Sequence, residues 1–309
     1  MHNPLVKIEG LSHKYTENWA IRDINLEIDS KGIVGLLGSN GAGKSTTMNI
    51  LCGALNPTEG KVVIDGIDMR ENPEEAKRLI GFMPQYPPLY LDLTVEEYLT
   101  HCAHLRLIEK GNIKKAVNDA MERCKIPHFR NRLLSNLSGG YRQRVSIAQS
   151  IIHLPKLVVL DEPNTGLDPN QVIELRALIK DLASERAVIL SSHVLSEVQL
   201  LCHNIRMIEH GRIVFADTMD AFNNYIEPHS ILMTMENPPK SEELLAIEGV
   251  SSAEFLTEKQ IRLFFNGNTE ISERIIETCV HNKWRLREIN LEKTSLTEVF
   301  AHLSNHRKN

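Results

Sequence analysis

The sequence predicts an α/β protein with a mainly parallel central sheet, followed by a smaller α+β module. Three observations point there. Short continuous apolar runs recur along the first two thirds, helical periodicities lie between them, and the texture changes after "GRIVFADTMD" (211–220). The chain has 309 residues, 42% hydrophobic and 24% charged, which fits about two globular domains with a sizeable core. The expected division is 1–216 and 217–309.

"AIRDINLEID" (20–29) alternates, with Ile24, Leu26 and Ile28 on one face, as a half-buried strand does. It belongs to a group of antiparallel strands expected near the N-terminus. "GIVGLL" (32–37), "KLVVLD" (156–161) and "AVILSS" (187–192) are unbroken apolar runs suited to central strands covered on both faces. Thr94 and Glu97 form a capping box that opens a helix to about Leu107. "NQVIELRALIKDLA" (170–183) carries helical spacing after Pro169.

Beyond residue 229 the expected order is strand 231–235, helix 241–247, strand 251–256, strand 261–265, helix 270–281 and strand 285–291. That βαββαβ order predicts a ferredoxin-like module. A last helix is expected from Ser295, capped with Glu298, its apolar stripe made of Leu296, Val299, Phe300 and Leu303.

Composition excludes several classes. A net charge of −5 does not favour a nucleic-acid surface. Five cysteines (52, 102, 124, 202, 279) lie scattered without a Cys-x-x-Cys pair, which points to reduced thiols rather than a disulfide framework or zinc site. The start, "MHNPLVKIEG", lacks the features of a signal peptide, and no run approaches the roughly 18 apolar residues of a membrane span. A cytosolic chain is expected, with any membrane role exercised through a partner.

"GSNGAGKST" (38–46) carries the chemistry. An apolar strand precedes Gly-x-x-x-x-Gly-Lys-Ser and a helix-compatible run follows. Gly38, Ser39, Asn40, Gly41, Ala42 and Gly43 would turn backbone amides toward phosphate oxygens. Lys44 would reach the β- and γ-phosphates, Ser45 would bind magnesium, and Thr46 continues the site. The motif alone does not choose the nucleotide, but a guanine-recognition Asn-Lys-x-Asp sequence is lacking. "KLVVLDEP" delivers Asp161 to a strand end, where it can bind magnesium through water. Glu162 is then placed to polarise the attacking water. A second phosphate-type turn, Ser-Gly-Gly in "NLSGGYRQR" (136–144), opens another helix and raises the question of whose phosphate it holds.

With these elements the chain resembles the ATP-binding subunits of ABC transporters, over about residues 4–216. The resemblance implies a RecA-like P-loop core, an antiparallel β subdomain and a helical subdomain. "LSGGYRQR" looks like the family signature (Leu137, Ser138, Gly139, Gly140), with Tyr141 where many members have Gln. Gln85 in "GFMPQYPPLY" matches the glutamine loop, a γ-phosphate and metal contact. Asp168 in "GLDP" matches the D-loop, His193 in "LSSHVLSEV" the switch histidine, and Tyr15 the aromatic residue that stacks on adenine. Each is weak alone; in this order they are specific.

The resemblance implies ATP and Mg2+ as ligands and Lys44, Gln85, Glu162 and His193 as the hydrolytic set. It also implies pairing with a second copy or a homologous chain, so that the Ser138–Gly140 turn of one caps the γ-phosphate of the other. Separate permease subunits would hold the pair on the cytoplasmic face. The C-terminal module is similar to those of bacterial exporter ATPases for drugs, sodium, polysaccharide or gliding motility, and is expected to stabilise a dimer or regulate it. The alternative is a non-transport ABC ATPase of translation or DNA repair. Those carry two cassettes per chain or a long coiled coil before the signature, and neither is found here.

Overall fold

The computed structural model describes residues 4–29, 31–225, 230–265 and 270–292. The chain divides into two compact units between Met219 and Asp220. The first begins with β1 (Val6–Tyr15), β2 (Asn18–Ile28), β3 (Gly32–Leu37), α1 (Lys44–Leu51), β4 (Glu59–Ile64), β5 (Ile67–Asp68), α2 (Pro73–Arg78) and β6 (Ile80–Met83). Three helices follow: α3 (Val95–Leu105), α4 (Ile113–Arg123) and α5 (Gly139–Ile151). It closes with β7 (Leu157–Asp161), α6 (Pro169–Glu185), β8 (Ala187–Ser192), α7 (Leu195–Leu201), β9 (Asn204–Glu209) and β10 (Arg212–Thr218). The short α8 (Met219–Asn223) spans the division.

Two sheets organise this unit. β2-β1-β4-β5 is antiparallel, and β10-β9-β3-β8-β7-β6 is parallel apart from the edge strand β10. Every residue of β7 and β8 is buried, which explains their unbroken apolar sequences. The main core fills the space between one face of the parallel sheet and the alternating inward residues of β1 and β2, such as Ile8, Leu11, Ile21 and Ile24. Because β3, β6, β7, β8 and β9 run the same way, all their carboxyl ends reach one edge, where ligands bind in open α/β sheets. Helices α3, α4 and α5 pack on one another, and α5 also packs against β6 and β7 of the parallel sheet.

Thr94 caps α3 reciprocally with Glu97, but the helix ends at Leu105 rather than Leu107. There the amide of Leu107 bonds the carbonyl of His104, that of Ile108 bonds Ala103, and Leu107 itself is left-handed at φ 57°. This is a Schellman-type stop. The division expected at 216/217 falls inside β10, which continues to Thr218. Among the described residues no helix is long and apolar enough to cross a membrane.

In the second unit, β11 (Ser230–Met235), α9 (Ser241–Leu245), β12 (Val250–Phe255), β13 (Gln260–Phe265), α10 (Ile271–His281) and β14 (Leu286–Glu292) follow one another. The sheet is antiparallel in the order β12-β13-β11-β14, a split βαβ arrangement. Its inward face buries Ile231, Met233 and Leu263 in a core shared with Ile275 of α10 and with Trp284. The helix expected from Ser295, with Leu296, Val299, Phe300 and Leu303, lies outside the described residues.

Candidate functional site

Residues 38–43 join the carboxyl end of β3 to α1. Gly43 has φ 111°, and a Cβ there would stand 2.5 Å from Ile21 Cγ2, so only glycine lets the loop rest on β2. Lys44 Nζ donates to the carbonyls of Gly38 at 2.9 Å and Ser39 at 3.0 Å. Its side chain is 4% exposed and lies 3.5 Å from Glu162 Oε1, a partner that a buried ammonium requires. Ser45 and Thr46 are half-buried in the first turn of α1. A buried ammonium, inward-turning backbone and the start of a helix together fit a phosphate chain.

The cradle is pinned from β9. Glu209, buried at the end of that strand, accepts from both the amide and the hydroxyl of Ser39 at 2.7 Å. Just beyond, the Gly211 amide donates to the Ala42 carbonyl at 2.9 Å.

The carboxylates stand beside it. Asp161 ends β7 opposite Ser191 of β8. The buried Ser191 hydroxyl donates to Asp161 Oδ1 at 2.5 Å and accepts the amide of Glu162 at 2.8 Å. Glu162 is left-handed at φ 48°, a conformation that costs a non-glycine residue about 1–2 kcal/mol. Its carboxylate faces Lys44 with one oxygen and His193 with the other, the latter at 2.9 Å from Nδ1. A carboxylate has no proton to give, so Nδ1 is the donor and Nε2 is left for another partner. Glu162, Thr165, Ser191 and His193 line a cleft of about 270 Å³.

Gln85 follows β6, the strand paired with β7, by two residues and is half-buried. Tyr15 closes β1 with half its surface exposed and meets His13 edge-to-face at 4.7 Å between centroids. Asp168 caps α6, accepting the Gln171 amide at 2.9 Å. Ser138 stands at the N-cap of α5 without a side-chain cap bond, and both it and Gly139 are exposed, while Leu137 is buried beneath them. Gly140 packs under Gln171, whose Oε1 would lie 2.4 Å from a Cβ. Arg142 holds the approach to this turn by donating to the carbonyls of Leu134 and Ser135. Tyr141 turns away from the turn and stacks edge-on against Phe129 at 4.3 Å. Lys44, Asp161, Glu162 and His193 thus share one edge of the sheet. The turn at Ser138 has α6 and the loop before it as neighbours.

A family model described as ABC transporter matches residues 21–165. The bacitracin transport ATP-binding protein BcrA of Bacillus licheniformis is 35% identical over 212 residues, 68% of either chain. The chain belongs to the ABC transporter ATP-binding subunits. Similarity to one such protein, the uncharacterised YxlF of Bacillus subtilis (strain 168), is 26% over 296 residues, 96% of this chain and 98% of that one. It therefore extends through the second unit. Among solved structures, a dimeric ATP-binding cassette in a post-hydrolysis state, bound to ADP and phosphate, superposes with a TM-score of 0.62 at 26% identity. That match covers 69% of this chain and 98% of the other.

Two residues of this ABC subunit escaped the sequence reading. Ser191 and Glu209 are polar groups buried near the carboxyl ends of β8 and β9, each bonded to a motif residue. For Ser191 the signal was a polar residue near the end of an apolar run; Glu209 follows the buried pair Met207 and Ile208 in a strand that also carries Arg206.

Proposed function

We propose that this subunit hydrolyses ATP as half of a cassette pair, either with its own copy or with a homologous chain, and powers export through separate membrane subunits. The observation that carries the reading is the meeting of Lys44, Glu162 and His193 at one sheet edge, beside Asp161. In the proposed complex Lys44 exchanges the Gly38 and Ser39 carbonyls for β- and γ-phosphate oxygens, and Tyr15 stacks on adenine. Ser45, Gln85 and Asp161 would hold Mg2+, which when bound neutralises charge on the phosphate oxygens. Glu162 orients the attacking water, and His193 Nε2 stabilises the γ-phosphate as charge develops.

The exposure of Ser138 and Gly139 supports a role for the second phosphate-type turn across a pair of chains. The turn caps the γ-phosphate held by the partner's cradle, and Asp168 lies at the same junction. Two bound ATP molecules close the pair and hydrolysis reopens it. Beyond Gln85, Tyr86, Tyr90 and Leu91 are exposed, an apolar surface fitted to a membrane subunit's cytoplasmic helix. The subunit would thus sit peripherally on the cytoplasmic face. The second unit serves dimer stability or regulation. Likeness to the ATP-binding protein LptB of a lipopolysaccharide export system in Haemophilus influenzae, 35% identical over 225 residues, supports the export direction.

Glu162→Gln tests the reading. The amide cannot orient water as the carboxylate does, so ATP binding persists while turnover falls by about 10²-fold or more. Near-normal steady-state hydrolysis by this variant would overturn it.

A further inference from the structure

His13 is 8% exposed, yet neither ring nitrogen has a hydrogen-bond partner. Buried polar atoms without partners are rare and call for an explanation. No protein group hydrogen-bonds either nitrogen, so what His13 offers its protein surroundings is its shape and ring. That ring stands against Tyr15, with centroids 4.7 Å apart and planes at 82°, the edge-to-face geometry favoured by aromatic quadrupoles. On the neighbouring strand, His13 pairs with Ile21, the residue whose Cγ2 occupies the space that a Cβ on Gly43 would need. His13 therefore links an exposed aromatic ring to the strand on which the phosphate cradle rests.

We propose that His13 is a positioning residue for adenine, fixing the ring of Tyr15 at a set distance from the cradle. This rests on the reading of Tyr15 as the adenine platform. Half-exposed at a strand end, Tyr15 has rotamers open to it, and the edge-to-face contact selects one. The contact acts on the base alone, since the phosphates meet residues 38–46.

The test is calorimetric titration of MgATP, MgADP and magnesium tripolyphosphate into the full chain and its variants. An aromatic pair of this kind corresponds to about two- to tenfold in affinity. His13→Ala should weaken ATP and ADP by that factor and leave tripolyphosphate unchanged. His13→Phe, which keeps a ring edge, should bind ATP within about twofold of the original chain. His13→Leu, which fills the space without an aromatic edge, should behave like His13→Ala and also guards against a collapse caused by the smaller side chain. In a Tyr15→Ala background, His13→Ala should add nothing. Equal losses for ATP and tripolyphosphate, full affinity in His13→Leu, or additivity with Tyr15→Ala would each overturn the proposal. If Tyr15→Ala alone leaves ATP affinity intact, the platform reading itself fails, an outcome distinct from those.

Discussion

His193 Nδ1 lies 2.9 Å from Glu162 Oε2, on the side of the carboxylate away from Lys44. One acidic group thus sits between a buried ammonium and a histidine whose side chain is 43% exposed. The arrangement fixes the imidazole's orientation while leaving its far nitrogen open toward the cleft.

His193→Ala should therefore spare nucleotide binding and lower turnover by about 10²-fold, the effect of losing one preorganised donor. His193→Gln should recover part of that. Binding titrations beside steady-state hydrolysis check the separation; equal losses in both would mean that His193 holds the cleft together instead.

Ser191→Ala should harm both stability and activity. It strands the buried Glu162 amide and removes the donor to Asp161, so unfolding in urea should show a loss of about 1–3 kcal/mol. At temperatures where the variant stays folded, its turnover should still fall, because both carboxylates lose their support. A stable, fully active variant would show that Ser191 does not set their positions.

Acid sensitivity should come in part from His153. Burial above all, and then the charge of Arg106, hold its pKa down to about 4. Nε2 meets the Ile80 carbonyl at 3.0 Å and Nδ1 has no partner. An unfolded histidine titrates near 6.5, so between the two values the unfolded chain takes up a proton that the folded chain refuses. The contribution is whole above about pH 6.5 and is lost as pH falls toward 4, by up to about 3 kcal/mol. His153→Gln, which keeps a donor for Ile80, should flatten the fall in urea midpoint between pH 7 and 5. An unchanged slope would place the sensitivity elsewhere.

Much of this was legible because its causes are local. β3, β7 and β8 read as continuous apolar runs since both faces are covered, and the Thr94–Glu97 box is a four-residue device. The cradle's glycines and Lys44 are contiguous. What escaped depends on distant partners or missing stop signals. Ser39 meets Glu209 across 170 positions, and Ser191 joins Asp161 across 30; no window along the chain holds either pair. α3 stops at Leu105, short of the end expected near Leu107, because Leu107 occupies a left-handed position where glycine would have announced the stop. The first unit ran past 216 because the hairpin of β9 and β10 continues through the polar residues Asp217 and Thr218.

If the Ser138 turn completes a partner's site, Ser138→Arg separates binding from turnover in a single chain. The exposed position tolerates the larger side chain in the fold, and the variant's own cradle is untouched. ATP affinity should match that of the original protein, while steady-state hydrolysis falls by about 10²-fold or more, as when a preorganised phosphate contact is removed. Unimpaired hydrolysis by Ser138→Arg would contradict the composite site and leave one chain sufficient for catalysis.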